Sequence, residues 1–254
     1  MPIIGYGMDA IAQPFRTVRL TTATQMAVLS LNTVNFAVTS GNLYDAEALS
    51  DLSVIADSFN SLAADPRPGN RRRAHSKLLL TQADTLIVCE FSAYAQANNY
   101  DAPNELREFS PIEGPVLITV ALRHLILRHA MIARLCRPGY FIGDLHVGLH
   151  TIRYECVGLG VSFSSPIGPH SDDEPYVVVI LIDRVGIDAD TNYVVPGKWD
   201  GKEKPSVALK LHSPLDALIL GERCAHGVNI MSSTDGYPAY RDILIITFTP
   251  VKSA

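Results

Sequence analysis

The sequence predicts an α+β fold: a double-stranded β-helix (jelly-roll) core buttressed by N-terminal and central helices. Three observations carry this. Helical periodicity is confined to the residues before about 137. The second half is a series of short apolar runs separated by Gly, Pro, Asp and Asn. Two of those runs, Val177–Leu181 and Ile243–Ile246, are apolar without alternation, as strands buried on both faces are.

The elements follow in order. Residues 14–38 alternate apolar and polar and are rich in Thr and Val, which predicts one or two strands. Leu49, Leu52, Ile55, Phe59 and Leu62 recur at helical spacing, so a helix is expected over 44–63, ended by Asp65-Pro66. Residues 65–72 form a polar loop, 74–94 read as strands, and 97–105 form a loop dense in Asn, Asp and Pro. Pro115 opens a long helix to about Cys136, stopped by Arg137-Pro138-Gly139. The strand runs of the second half are 145–157, 176–184, 206–211, 216–221 and 241–249. No repeat, linker or low-complexity segment divides the chain, so residues 1–254 read as one domain.

Composition narrows the function classes. A hydrophobic content of 47% with 19% charged residues is that of an ordinary globular protein. The formal charge of −5 argues against a nucleic-acid partner, and Arg71-Arg72-Arg73 is too short a basic run to reverse that. The apolar stretch Pro115–Cys136 contains Arg123, His124, Arg128, His129 and Arg134, which would be costly at a bilayer centre, so no membrane partner is expected. The N-terminus has no basic segment leading into an apolar run, and Cys89, Cys136, Cys156 and Cys224 contain no CxxC. Reduced thiols and a cytoplasmic location are expected. The sequence leaves the oligomeric state open, a homodimer included.

The chemistry-bearing residues lie in the strand-rich half. His170 and Asp172 are spaced i, i+2, so on an extended segment both side chains point to one side. Two imidazoles and one carboxylate hold non-haem Fe(II) on one face and leave its other positions open. HxD alone is a weak motif that arises by chance in many chains. Two histidines compete for the third position: His226, after the apolar run Ala217–Leu220, and His212, before Ser213-Pro214. Arg241 precedes a strand. It suits either an ion pair with Asp242 or a bidentate contact to a dicarboxylate.

Residues 166–184, PIGPHSDDEPYVVVILIDR, resemble the PEGxHxDG…vxxxLIxR block of bacterial amino-acid 2-oxoglutarate/Fe(II) dioxygenases of the L-isoleucine 4-hydroxylase type. The resemblance continues through Ser213–Leu218, His226-Gly227-Val228 and Tyr240–Phe248, the last similar to YRDvLvvTF. Upstream, Arg72–Ser76 resembles RRxYS, while Tyr94-Ala95-Gln96 and Arg107–Ile112 resemble YxQ…RxFxPI. The order of these blocks, from about residue 70 to residue 250, makes the match more specific than any one of them. It implies Fe(II) on His170, Asp172 and His226, 2-oxoglutarate anchored by Arg241, and O2 as the third reactant. It implies a small free amino acid of valine or isoleucine type as substrate. Arg73 and Arg153 are the candidates for its carboxylate. His150 matches the first position of a family HxxR and reads as pocket wall or core.

The chain departs from the family pattern in three places. Asp173-Glu174 stand where the family has Gly after the ligand Asp; these two acids, Asp173 first, suit either a substrate ammonium or a solvent-facing position. Ala189-Asp190-Thr191 replace a GG pair, and His75 replaces the Tyr of RRxYS. Hydroxylation is the expected outcome. Oxidative cyclisation to an aziridine, as in fungal relatives, or desaturation is the alternative within a secondary-metabolite pathway. A metal-binding jelly roll without catalysis is the reading from another class.

Overall fold

A computed structural model describes residues 21–89, 105–158, 160–164, 167–188, 190–197 and 206–251. The YxQ block at 94–96 and most of the 97–105 loop lie outside the described residues, as do 14–20 and 90–94.

The helices come first. Helix α1 spans Thr22–Val34, capped by the Thr21 hydroxyl on the Thr24 N–H, and strand β1 (Phe36–Thr39) follows it. The expectation of strands over 14–38 is therefore corrected. Thr24, Ala27 and Leu31 are the buried residues, at helical spacing, and that periodicity overrides the β propensity of Thr and Val. The helix expected over 44–63 is broken into α2 (Leu52–Ser58) with 3-10 turns at Ala46–Leu49 and Phe59–Ser61. Asp51 does not cap α2. Its carboxylate accepts the Val120 and Ala121 N–H groups at 2.8 Å each, at the start of another helix. The 115–136 helix likewise divides into α3 (Gly114–Leu117) and α4 (Val120–Cys136), because the Thr119 hydroxyl accepts the Leu122 N–H and starts α4 afresh.

The strands are β2 (Arg71–Leu80), β3 (Leu86–Val88), β4 (Leu145–Cys156), β5 (Val161–Ser162), β6 (Tyr176–Val185), β7 (Ile187–Asp188), β8 (Asn192–Pro196), β9 (Val207–Leu209), β10 (Ala217–Gly221), β11 (Cys224–Val228), β12 (Met231–Ser233) and β13 (Ala239–Pro250). A seven-stranded sheet runs β1-β10-β6-β13-β4-β2-β3, and two three-stranded sheets run β11-β8-β9 and β5-β12-β7. Every pairing between these strands is antiparallel. This is the expected helix-buttressed jelly roll.

The large sheet is buried on both faces, which explains its unbroken apolar runs. Val178, Ile180, Leu244 and Ile246 pack with α4 residues such as Leu122 and Ile126. Val177, Val179, Leu181 and Ile243 pack on the opposite face with Val194, Leu211 and Met231 from the second layer. That second face carries the site.

Candidate active site

Strand parity decides which side chains reach the cavity between the layers. On β2 they are Arg71 and Arg73; on β4, His150, Ile152 and Tyr154; on β13, Arg241, Ile243, Ile245 and Thr247. Register aligns them in rows: Arg71, Tyr154 and Arg241 in one, Arg73, Ile152 and Ile243 in the next. Cations thus line one end of an otherwise apolar floor.

His170 and His226 meet above this floor. Each donates its backbone N–H to the other's carbonyl, at 2.9 and 2.8 Å, so their side chains leave the bridge on one side. Their ring centroids are 4.5 Å apart. Asp172 completes the group, with Oδ2 2.8 Å from His226 Nε2 and Oδ1 3.9 Å from His170 Nε2. One ligand atom from each of the three lies within 4.8 Å of the others, the sole such group of His, Cys, Asp and Glu among the described residues. The Gly168 carbonyl lies 3.2 Å from His170 Nδ1; accepting its proton there fixes the tautomer that leaves the Nε2 lone pair facing the group. His212 is exposed and its N–H bonds Asp216, so it takes no part.

Arg241 is 1% exposed. Its Nη2 donates to Asn192 Oδ1 at 3.1 Å and its Nε lies 4.0 Å from the Asp190 carboxylate. Burial lowers its pKa, while Tyr154 and Asp190 work the other way. Among the described residues, Arg241 Nε and Asn192 Nδ2 are buried donors without an acceptor. Asp242, the partner considered from sequence, faces the other side of β13.

The structure does not bring all the expected residues together. Arg73 lines the cavity, stacked 4.4 Å above the Phe109 ring, with Nη2 donating to His150 Nδ1 at 2.9 Å. Arg153 does not reach it. Three residues from His150, it has the opposite strand parity and grips Asp242 at 2.7 and 2.6 Å. Asp173 is exposed, and Glu174 lines the cavity in its place. Arg71, buried and paired with Asp65 at 2.8 Å, also lines it and was missed by sequence reasoning, as were Arg107 and Asn192. The i, i+2 spacing of Arg71 and Arg73 was the available signal for the first. His75, the third residue of that parity, stacks on His150 with centroids 4.4 Å apart.

The model of one family, described as 2OG-Fe dioxygenase, matches residues 56–247. The chain belongs to the 2OG-Fe dioxygenase family. This dioxygenase is 27% identical over 185 residues to an L-isoleucine-4-hydroxylase of Bacillus thuringiensis, covering 70% of this chain and 75% of the relative. It is 26% identical over 211 residues to a 3(1)-hydroxy-L-isoleucine 4-dioxygenase of Pantoea ananatis, covering 79% and 81%. Its fold superposes on the crystal structure of IDO from B. thuringiensis with a TM-score of 0.77 at 24% identity, covering 90% of this chain and all (100%) of that one. A bsmA homolog from Methylobium petroleophilum gives 0.79 at 21% identity, covering 93% and 97%.

The dioxygenase therefore uses Fe(II), 2-oxoglutarate and O2. The residues present fit that set. Two imidazoles and a carboxylate converge from one side, and a buried guanidinium with an unsatisfied donor faces the same cavity. Among the described residues, no helix is long and apolar enough to cross a membrane.

Proposed function

We propose that this dioxygenase hydroxylates an unactivated C–H bond of a small free L-amino acid with a branched aliphatic side chain. One observation carries the reading. A single cavity combines the His170, Asp172 and His226 group, the buried guanidinium groups of Arg241 and Arg73 in adjacent rows, and aliphatic walls from Ile152, Val177, Val179 and Ile243. The names of two relatives, one acting on L-isoleucine and one on its hydroxylated form, support the same class.

His170, Asp172 and His226 would hold the iron, and Arg241 the distal carboxylate of 2-oxoglutarate. Iron with 2-oxoglutarate and O2 supplies the oxidising power to cleave the C–H bond, releasing succinate and CO2. Arg73 would receive the substrate carboxylate, its fork oriented by His150 and Phe109. His150 is held neutral by burial and by Arg73, His75 and Arg107, so its Nδ1 keeps a lone pair for Arg73. Glu174 would face the ammonium. The aliphatic walls turn the side chain towards the metal and keep water from it.

One domain carries this activity in our reading, since both cores are built on the same sheet. The cytoplasm suits it, since all four cysteines are free thiols.

Incubation of valine, isoleucine and leucine with the iron-loaded enzyme, 2-oxoglutarate and O2, with mass spectrometry of the products, tests the reaction. Gain of one oxygen atom with one succinate per product is expected. Loss of two hydrogens would show cyclisation or desaturation instead, and no succinate with any amino acid would refute the reading.

A further inference from the structure

Arg241 lies directly opposite Arg184 in the pairing of β13 with β6. Like charges across strands repel, and here both arginines share the cavity side because a register shift at Asp242/Ile243 re-phases the pairing. Asp190 resolves the conflict. Its Oδ2 lies 2.9 Å from Arg184 Nη1 and 4.0 Å from Arg241 Nε, and its Oδ1 lies 3.0 Å from Lys210 Nζ. Burial would raise the Asp190 pKa, but Arg184, Lys210 and Arg241 more than offset it and keep it charged. One carboxylate against three cations leaves this corner cationic while fixing the Arg241 side chain.

Asn192, two residues along the chain, holds the other edge of Arg241. A guanidinium only donates, so the amide oxygen of Asn192 must face Nη2. That settles the orientation of the amide: Nδ2 points the other way. Nδ2 is buried and has no acceptor among the described residues, and Asn192 lines the same cavity. A buried donor in that state is costly, and an anion seated on Arg241 would satisfy it.

We propose that Asn192 is a second binding residue for the distal carboxylate of 2-oxoglutarate, its Nδ2 donating beside Arg241, with Asp190 the positioning residue that holds the pair. The proposal rests on the reading of Arg241 as co-substrate anchor.

Calorimetric titration of the Mn(II)-substituted protein, without turnover, tests it with two probes. One is 2-oxoglutarate; the other is 2-oxopentanoate, of equal length with a methyl group where the carboxylate was. The variants are Asn192→Asp, which keeps the oxygen towards Arg241 but removes the donor, the near-isosteric Asn192→Leu, and Asn192→Ser as the least disruptive change. Those that keep wild-type Mn(II) affinity should bind 2-oxoglutarate at least about 10-fold more weakly and 2-oxopentanoate within about twofold of wild type. Unchanged 2-oxoglutarate affinity would overturn the proposal, and so would equal weakening of both probes, which would mark Asn192 as cavity wall. Arg241→Ala separates the two layers of argument. If it leaves 2-oxoglutarate affinity intact, the anchor reading has failed; if it weakens binding while every Asn192 variant is normal, only the present inference has.

Discussion

The His170 and His226 backbones exchange two hydrogen bonds, at 2.9 and 2.8 Å, in an isolated bridge outside the regular strand pairings. A mutual pair of this kind forces both side chains to the same side. The bridge thus brings a loop histidine and one inside β11, far apart in the chain, into one half of the proposed metal group. Asp172 needs only the i, i+2 parity of an extended segment to join them.

Asp172→Ala should therefore remove the metal without removing the fold. Fe(II) affinity is expected to fall more than about 100-fold, because even partners outside the ligand shell cost about 10–100-fold. Anaerobic metal titration with circular dichroism checks this. Wild-type metal stoichiometry in the variant would remove Asp172 from the site.

Arg241→Ala should raise the KM for 2-oxoglutarate by about 100-fold, the loss of a buried charge-assisted pair, and change the amino-acid KM little. The change also leaves Asp190 with one cation fewer, so some loss of stability accompanies it. Steady-state kinetics with each reactant varied separately makes the distinction. Equal rises in both KM values would count against the assignment.

Arg153→Ala is expected to behave in the opposite way. Arg153 and Asp242 are cross-strand partners with 12% and 2% of their side chains exposed, so removing one strands a buried charge. Urea unfolding should show a loss of roughly 3–5 kcal/mol, largely restored when both positions carry apolar residues. Both KM values should stay at wild type. A selective rise in the amino-acid KM would return Arg153 to the substrate site.

These contrasts show what the sequence could and could not disclose. The jelly roll was legible because strands buried on both faces write unbroken apolar runs, and Val177–Leu181 does so. Helix α1 was not, because Thr and Val carry β propensity while the buried spacing of Thr24, Ala27 and Leu31 is helical. The grouping of His170, Asp172 and His226, and the place of Arg241 in the same cavity, were legible from motif order. Arg153 was misplaced by ignoring that an odd offset from His150 on a strand reverses the face. Asp190 stood out only as a departure from the family's GG pair and Asn192 not at all, since their roles depend on partners on β13 and β6 that only the fold brings near.

Acid should destabilise the protein through histidines buried in the neutral state. Burial first, then Arg73 and Lys77, lowers His75 to about 4. Burial, then Arg128 and His124, lowers His129 to about 3, where it lies 2.8 Å from the Tyr44 hydroxyl. His150 is lowered well below its ordinary value by burial and by Arg73. A histidine depressed in the folded state binds its proton more readily when unfolded, so between the two pKa values the unfolded chain holds more protons and stability rises with pH. The contribution is full above about pH 6.5 and is lost as pH falls towards 4, with His75 alone accounting for roughly 3 kcal/mol. Urea midpoints should fall from about pH 7.5 to about pH 5, and His75→Phe, which keeps a ring to stack on His150, should flatten that slope. Over the same range folded His150 stays neutral, so the bond from Arg73 to its Nδ1 persists and the amino-acid KM should stay level until unfolding begins. Identical urea midpoints at the two pH values would show that these rings are not held neutral, and would leave the orientation of Arg73 without its support.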